Sequence, residues 1–146
     1  MVTNNMEIKL QIGVKILLKN KDNEYLLVHR SAEKYPDIKG RWDIVGGRIN
    51  PGSTLLENLK REIKEETGLD LVGAPELIGA QDILKSSDLH IVRLTYTGQA
   101  NGEVTLDVSE NDKYQWCNFE ELEKLEDSDV YFRELLGDTS LWQEKI

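Results

Sequence analysis

Residues 46–69 read GGRINPGSTLLENLKREIKEETGL, and the rest of the chain takes its meaning from them. A glycine pair leads into a short Pro-Gly loop. Thr54-Leu55-Leu56-Glu57 then has the form of a capping box, in which the threonine oxygen accepts from the N3 amide and Glu57 reaches back to the cap amide. Gly68 suits the left-handed residue that commonly closes a helix. Between them Leu56, Leu59 and Ile63 form an apolar stripe expected to face the core. Glu57, Lys60 and Lys64 take the remaining surface, where Glu57 is in reach of Arg61 one turn on. Glu62, Glu65 and Glu66 stand at i, i+3 and i+4, which gathers them on one helix face beside the buried stripe. Three like charges on neighbouring turns repel one another. A hard divalent cation such as Mg²⁺ or Ca²⁺, which prefers carboxylate oxygens, turns that repulsion into attraction. An ordinary exposed acidic helix accounts for the E-x-x-E-E run by itself, but not for the glycines, the cap and their spacing together.

Composition bounds the answer. A chain of 146 residues is read as one domain over 1–146, with residues 1–6 and the last few expected to fray. Apolar residues at 39% and charged residues at 31% are ordinary for a soluble globular protein. No apolar run approaches the length of a membrane span, and MVTNNMEIK lacks the basic-then-apolar form of a signal peptide. Cys117 is the single cysteine, which excludes an internal disulfide and fits a reducing cytoplasm. Its neighbours Trp116 and Asn118 offer no base, so it reads as a packed thiol. A net charge of −9 argues against binding a nucleic-acid polymer. It is compatible with an anionic small molecule bridged to the protein by cations.

Taken in order, Glu7–Leu18 mixes alternation with β-branched residues and predicts a strand, and Tyr25–Arg30 predicts its hairpin partner across Asn20–Asn23. Ser31–Gly40 is a loop stiffened at Tyr35-Pro36, and Arg41–Val45 a short strand into Gly46-Gly47, where the backbone can approach a ligand closely. Leu71–Leu84 predicts a strand interrupted at Gly73-Ala74-Pro75, paired with Leu89–Thr97 across Lys85–Asp88. Gly98–Asp107 reads as a polar loop. Ser109–Trp116 is an acidic loop running into a strand, Val130–Leu136 a short closing helix, and Trp142 a packing residue on the tail. His90 has only His29 as a possible co-ligand and is expected to hold no metal.

The segment from Gly47 to Leu69 resembles the Nudix box, G-x5-E-x7-R-E-U-x-E-E-x-G-U, in which U is a bulky aliphatic residue. Gly47 fills its first position, and Arg61-Glu62-Ile63-Lys64-Glu65-Glu66-Thr67-Gly68-Leu69 fills its second half without mismatch. One position departs, since the first glutamate of the pattern is Ser53 here. In the family that residue mainly braces the loop–helix junction. WDIVGGR at 42–48 is similar to the family's W-x-x-P-G-G-K/R lead-in, with Val45 at the proline position.

The resemblance implies an α/β fold, the Nudix-type α/β/α sandwich around a mixed β-sheet, and metal-dependent hydrolysis of a phosphoanhydride in a nucleoside diphosphate derivative. It further implies Mg²⁺ or Mn²⁺ held by Glu62, Glu65, Glu66 and the Gly46 carbonyl, with Arg61 orienting Glu62. Glu62 or Glu110 would accept the proton, with Asp112 in reserve. Arg30, Gly47 and Arg48 are the expected substrate contacts, and a homodimer is the expected assembly. About sixteen residues beyond the box, proline marks ADP-ribose hydrolases and tyrosine diadenosine polyphosphate hydrolases. Leu84-Lys85-Ser86 carries neither, which favours a (d)NTP or an oxidised (d)NTP over a nucleotide sugar or ADP-ribose. A non-catalytic Nudix-fold ligand-binding module is the reading from another class, with Ser53 in its favour.

Overall fold

A computed structural model describes residues 7–138, so the expected fraying of residues 1–6 and the role of Trp142 lie outside the described residues. The elements are β1 (Lys9–Lys19), β2 (Tyr25–Arg30), β3 (Trp42–Asp43), β4 (Val45–Arg48), α1 (Leu55–Thr67), β5 (Asp70–Ser86), β6 (Leu89–Asn101), β7 (Asn111–Cys117), α2 (Phe119–Lys124) and α3 (Val130–Gly137). The strands form one sheet along the path β3-β2-β1-β6-β5, with β4 paired to β1 and β7 to β2. Among the described strands β1 and β6 run parallel, in a register that sets Lys15 beside Thr95, and the other strand pairs are antiparallel. The sheet is therefore mixed.

β1 is the central strand, and its alternation builds both layers. Val14, Ile16 and Leu18 point to one side and pack with Leu26, Val28, Val45 and the α1 residues Leu59 and Ile63. Leu17 points to the other and packs with Leu27, Leu122 of α2, and Phe132, Leu135 and Leu136 of α3. Helices thus cover both faces, and the architecture is the expected α/β/α sandwich. Each fully buried Leu or Ile contributes on the order of 1.5–3 kcal/mol, and Leu59 and Ile63 add that much each to the docking of the 13-residue helix on the sheet.

The capping box is present as read. Thr54 accepts from the Glu57 amide at 3.1 Å, the Thr54 amide donates to Glu57 Oε1, and Gly68 closes the helix with φ at 71°. Thr54→Ala is expected to lower stability by about 1 kcal/mol, as a lost N-cap does, with the urea unfolding slope unchanged.

The local reading needs correcting in several places. Leu56 is exposed, and Asn58, which is no part of the predicted stripe, is buried. The Asn58 side chain accepts from the Asn50 amide at 2.7 Å and donates to the carbonyls of Ser53 and Thr54 at 3.2 and 2.7 Å, tying the loop to the first turn. Glu57 is occupied by its cap and does not pair with Arg61, which turns to Glu62 and Glu65. β5 is not broken at Gly73–Pro75; its register shifts between Val72 and Glu76, so the strand bulges and continues. Its turn to β6 is only Ser87-Asp88, and β6 extends through Gly98 to Asn101 because Asp70–Val72 pair with Gln99–Asn101. Pairing across the sheet overrides the polar composition of residues 98–101. Cys117 is buried, and burial pushes its thiol up to about 11, consistent with an inert packed side chain. Among the described residues no helix is long and apolar enough to cross a membrane.

Candidate active site

The turn from β3 to β4 brings the glycine pair against α1. Gly46 has φ at 147°, and a Cβ there would lie 2.0 Å from the Val14 carbonyl oxygen, so only glycine fits. Its amide donates to Glu66 Oε2 at 2.8 Å. A Cβ on Gly47 would stand 2.8 Å from the Glu62 carboxylate, which measures how closely that side chain approaches the turn. Glu62 and Glu66 therefore face the glycines across a short gap, and with Glu65 they stand on the wall of a cavity of about 690 Å³.

Of the residues singled out from sequence, Arg30, Gly46, Gly47, Arg48, Glu62, Glu65, Glu66 and Glu110 all line this cavity. Arg61 stands behind it, donating to Glu62 at 2.9 Å, to Glu65 at 3.3 Å and to the Arg48 carbonyl at 3.3 Å. It also donates to Asn58 Oδ1 at 3.0 Å, linking the acidic face to the loop brace. The junction that Ser53 leaves without a glutamate is thus held by Asn58 and Arg61. Arg30 pairs with Asp43 at 3.4 Å and lies 5.6 Å from the centre of the Tyr35 ring, so it is a cavity wall and not a solvated strand end. The Arg48 side chain turns to Gln11.

Glu110 accepts from Lys34 and, at 2.7 Å, from the Tyr35 hydroxyl. Partial burial works to raise its pKa, but these two donors prevail and hold the carboxyl below its ordinary range. Asp112 is committed elsewhere, to His29 at 2.6 Å and the Ala32 amide, and does not line the cavity. His90 pairs with Asp82 at 2.7 Å.

Glu66 is partly buried. Burial raises its pKa above the ordinary carboxylate range, against Lys15, the Gly46 amide and the Asn111 amide group at 3.3 Å. Glu62, Glu65 and Glu66, together with the Gly46 carbonyl that Lys15 reaches at 3.5 Å, are oxygen donors of the kind hard divalent cations take. Among the described residues no three acidic, imidazole or thiol side chains are grouped closely enough to hold a metal ion. Arg61 instead holds Glu62 and Glu65 to itself.

The cavity floor contains a charge cluster that sequence reading missed. Asp43, 1% exposed, meets Lys15 at 3.2 Å, Arg93 at 3.0 Å and Arg30, and Arg93 also meets Asp129 at 2.8 Å. Burial works to raise the Asp43 pKa, but Lys15, Arg93 and Arg30 together reverse this and hold it far below the ordinary range. Lys15 is shifted the other way from an ordinary ion pair, because burial pulls it down by more than a carboxylate shared with two arginines restores. One signal was available. Lys15 and Arg93 are single charges inside apolar strands, and a buried charge requires a partner.

The NUDIX domain family model matches residues 9–136, and the chain belongs to that family, the class of the MutT-like Nudix hydrolases. It is similar to the CTP pyrophosphohydrolase of Escherichia coli, 26% identical over 110 residues, or 75% of this chain and 78% of that protein. It is also similar to the mouse 8-oxo-dGDP phosphatase NUDT18, 36% identical over 50 residues, where the match spans 34% of this chain but only 15% of that longer protein. Among solved structures, a MutT protein from Methanosarcina mazei superposes with a TM-score of 0.77 at 27% identity, covering 97% of this chain and 99% of that one.

Proposed function

We propose that this protein hydrolyses the pyrophosphate linkage of a (d)NTP or oxidised (d)NTP, giving a nucleoside monophosphate and pyrophosphate. The observation that carries the reading is the seating of Glu62 and Glu66 against the glycine turn, on the wall of a cavity large enough for a nucleotide. Likeness to a CTP pyrophosphohydrolase supports a nucleoside triphosphate, and likeness to an 8-oxo-dGDP phosphatase supports an oxidised base. Mg²⁺ or Mn²⁺ would be held by the Gly46 carbonyl, Glu62, Glu65 and Glu66. There it would supply Lewis acidity toward the phosphoryl oxygens and lower the pKa of a water.

The chain's own groups do the rest. Glu62, partly buried and oriented by Arg61, accepts the proton of the attacking water. Glu110 is the weaker candidate for that role because Lys34 and Tyr35 occupy it. Arg30 and Arg48 line the path of the phosphates, and Arg61 acts by positioning. The buried thiol of Cys117 fits a cytoplasmic setting. A single domain over 1–146, acting as a homodimer on a free nucleotide, completes the proposal.

The test is phosphate release from a nucleotide panel with Mg²⁺, coupled to inorganic pyrophosphatase, with a parallel phosphatase arm to reveal products of diesters. Turnover is expected on triphosphates and to be greatest on one canonical or oxidised base. Turnover confined to nucleotide sugars or ADP-ribose would move the assignment there. Silence across the panel with tight nucleotide binding would make the protein a ligand-binding module.

A further inference from the structure

Lys15 lies in the middle of β1, on the face that forms the cavity floor, and is 8% exposed. A lysine in that place needs a reason, since β1 otherwise contributes apolar side chains from Val14 to Leu18. Its ammonium has three protons and three acceptors around it: Asp43 Oδ2 at 3.2 Å, the Ile44 carbonyl at 3.2 Å and the Gly46 carbonyl at 3.5 Å. The last of these is the carbonyl assigned above to the metal. The same Gly46 peptide donates its amide to Glu66, whose carboxylate is close enough to Lys15 to feel its charge. The Gly46 peptide is thus held from both sides, by a cation at its oxygen and by a carboxylate at its nitrogen. Asp43 does not depend on Lys15 for neutralisation, because Arg93 and Arg30 also reach it.

We propose that Lys15 is a resident counter-cation of the metal site. Without metal, it supplies the positive charge that keeps the Gly46 turn and Glu66 together. Toward an arriving divalent ion it acts as a competitor for the Gly46 carbonyl and as a like charge. Metal affinity is then lower than the glutamates alone would confer, and binding becomes dependent on the substrate's phosphates, which bring the negative charge that offsets Lys15. Lys15 is a positioning residue in this scheme, and the scheme rests on the metal assignment above.

The experiment uses the full chain without nucleotide and counts bound Mn²⁺ from loss of the free-ion EPR signal. Wild type is compared with Lys15→Met and with Lys15→Gln, which keeps a donor for the Ile44 carbonyl while removing the charge. Thermal unfolding verifies that each is folded. Both variants are expected to bind Mn²⁺ about tenfold more tightly, as follows from removing a unit charge a few ångströms from the ion. Added nonhydrolysable nucleotide is expected to tighten Mn²⁺ binding by wild type more than by either variant. Unchanged or weaker Mn²⁺ binding in folded Lys15→Gln overturns the role of Lys15 and leaves the metal site standing. Absence of Mn²⁺ binding by wild type, with and without nucleotide, overturns both.

Discussion

Glu66→Gln is expected to lower turnover by about 10²–10³-fold, the cost of losing one charge-stabilising group at a reacting centre, while the metal-free fold survives. The side chain sits between the Gly46 amide and Asn111. Glutamine keeps the size and an acceptor oxygen for Gly46, so geometry is preserved and only the charge is lost. The stability of the metal-free protein gives the control. A carboxyl whose pKa is raised on folding favours the folded state below its unfolded value and disfavours it as pH rises through the folded value. At neutral pH, therefore, Glu66→Gln should melt in EDTA at the wild-type temperature or above it. That difference should vanish below about pH 4, where the unfolded carboxyl is also protonated. Wild-type turnover in Glu66→Gln would end the assignment of the site, and a lower melting temperature in EDTA would make Glu66 a structural residue.

The second large effect lies beneath the site. Asp43→Ala removes the one carboxylate shared by Lys15, Arg30 and Arg93 and, among the described residues, leaves Arg93 paired with Asp129 alone and Lys15 with no ion pair closer than the field of Glu66. Removing one member of a buried ion cluster typically costs about 3–5 kcal/mol, and urea unfolding at pH 7 should show a loss of that size. The pH dependence has the opposite sign to that of Glu66. The Asp43 pKa is depressed by folding, so its contribution is present above the unfolded value and is lost as pH falls through the folded one. The gap between wild type and Asp43→Ala should therefore narrow in acid, beginning below about pH 4. A loss under 1 kcal/mol would mean that the cluster is solvated and not a buried floor. Because Lys15 and Arg93 line the cavity, the same variant should also weaken nucleotide handling.

How much was legible in the sequence differs between the two halves of the site. The acidic half is local: a helix of one capping box and one closing glycine dictates which face Glu62, Glu65 and Glu66 share, and Gly46-Gly47 precede it by a short loop. Such features follow from spacing, because helix geometry repeats without help from the rest of the molecule. Leu56 and Asn58 show the limit even there. Period alone put the leucine inward, whereas the loop's unsatisfied backbone groups required the asparagine. Strand ends were misplaced at Gly73–Pro75 and Gly98–Asn101 for a similar reason, since pairing partners decided them and composition did not.

From sequence alone came the family resemblance, the sandwich it implies and the helix face that carries the carboxylates, since each depends on residues close together along the chain. Tertiary structure alone decided that Lys15, Asp43 and Arg93, from three separate strands, meet on the floor of the cavity. It likewise decided that Glu110 is tied to the loop after β2 and Asp112 to His29. The physical reason is the same in each case: a side chain's charge state and freedom depend on neighbours brought close by β1–β6 and β2–β7 pairing, and that pairing has no spacing in the sequence to announce it.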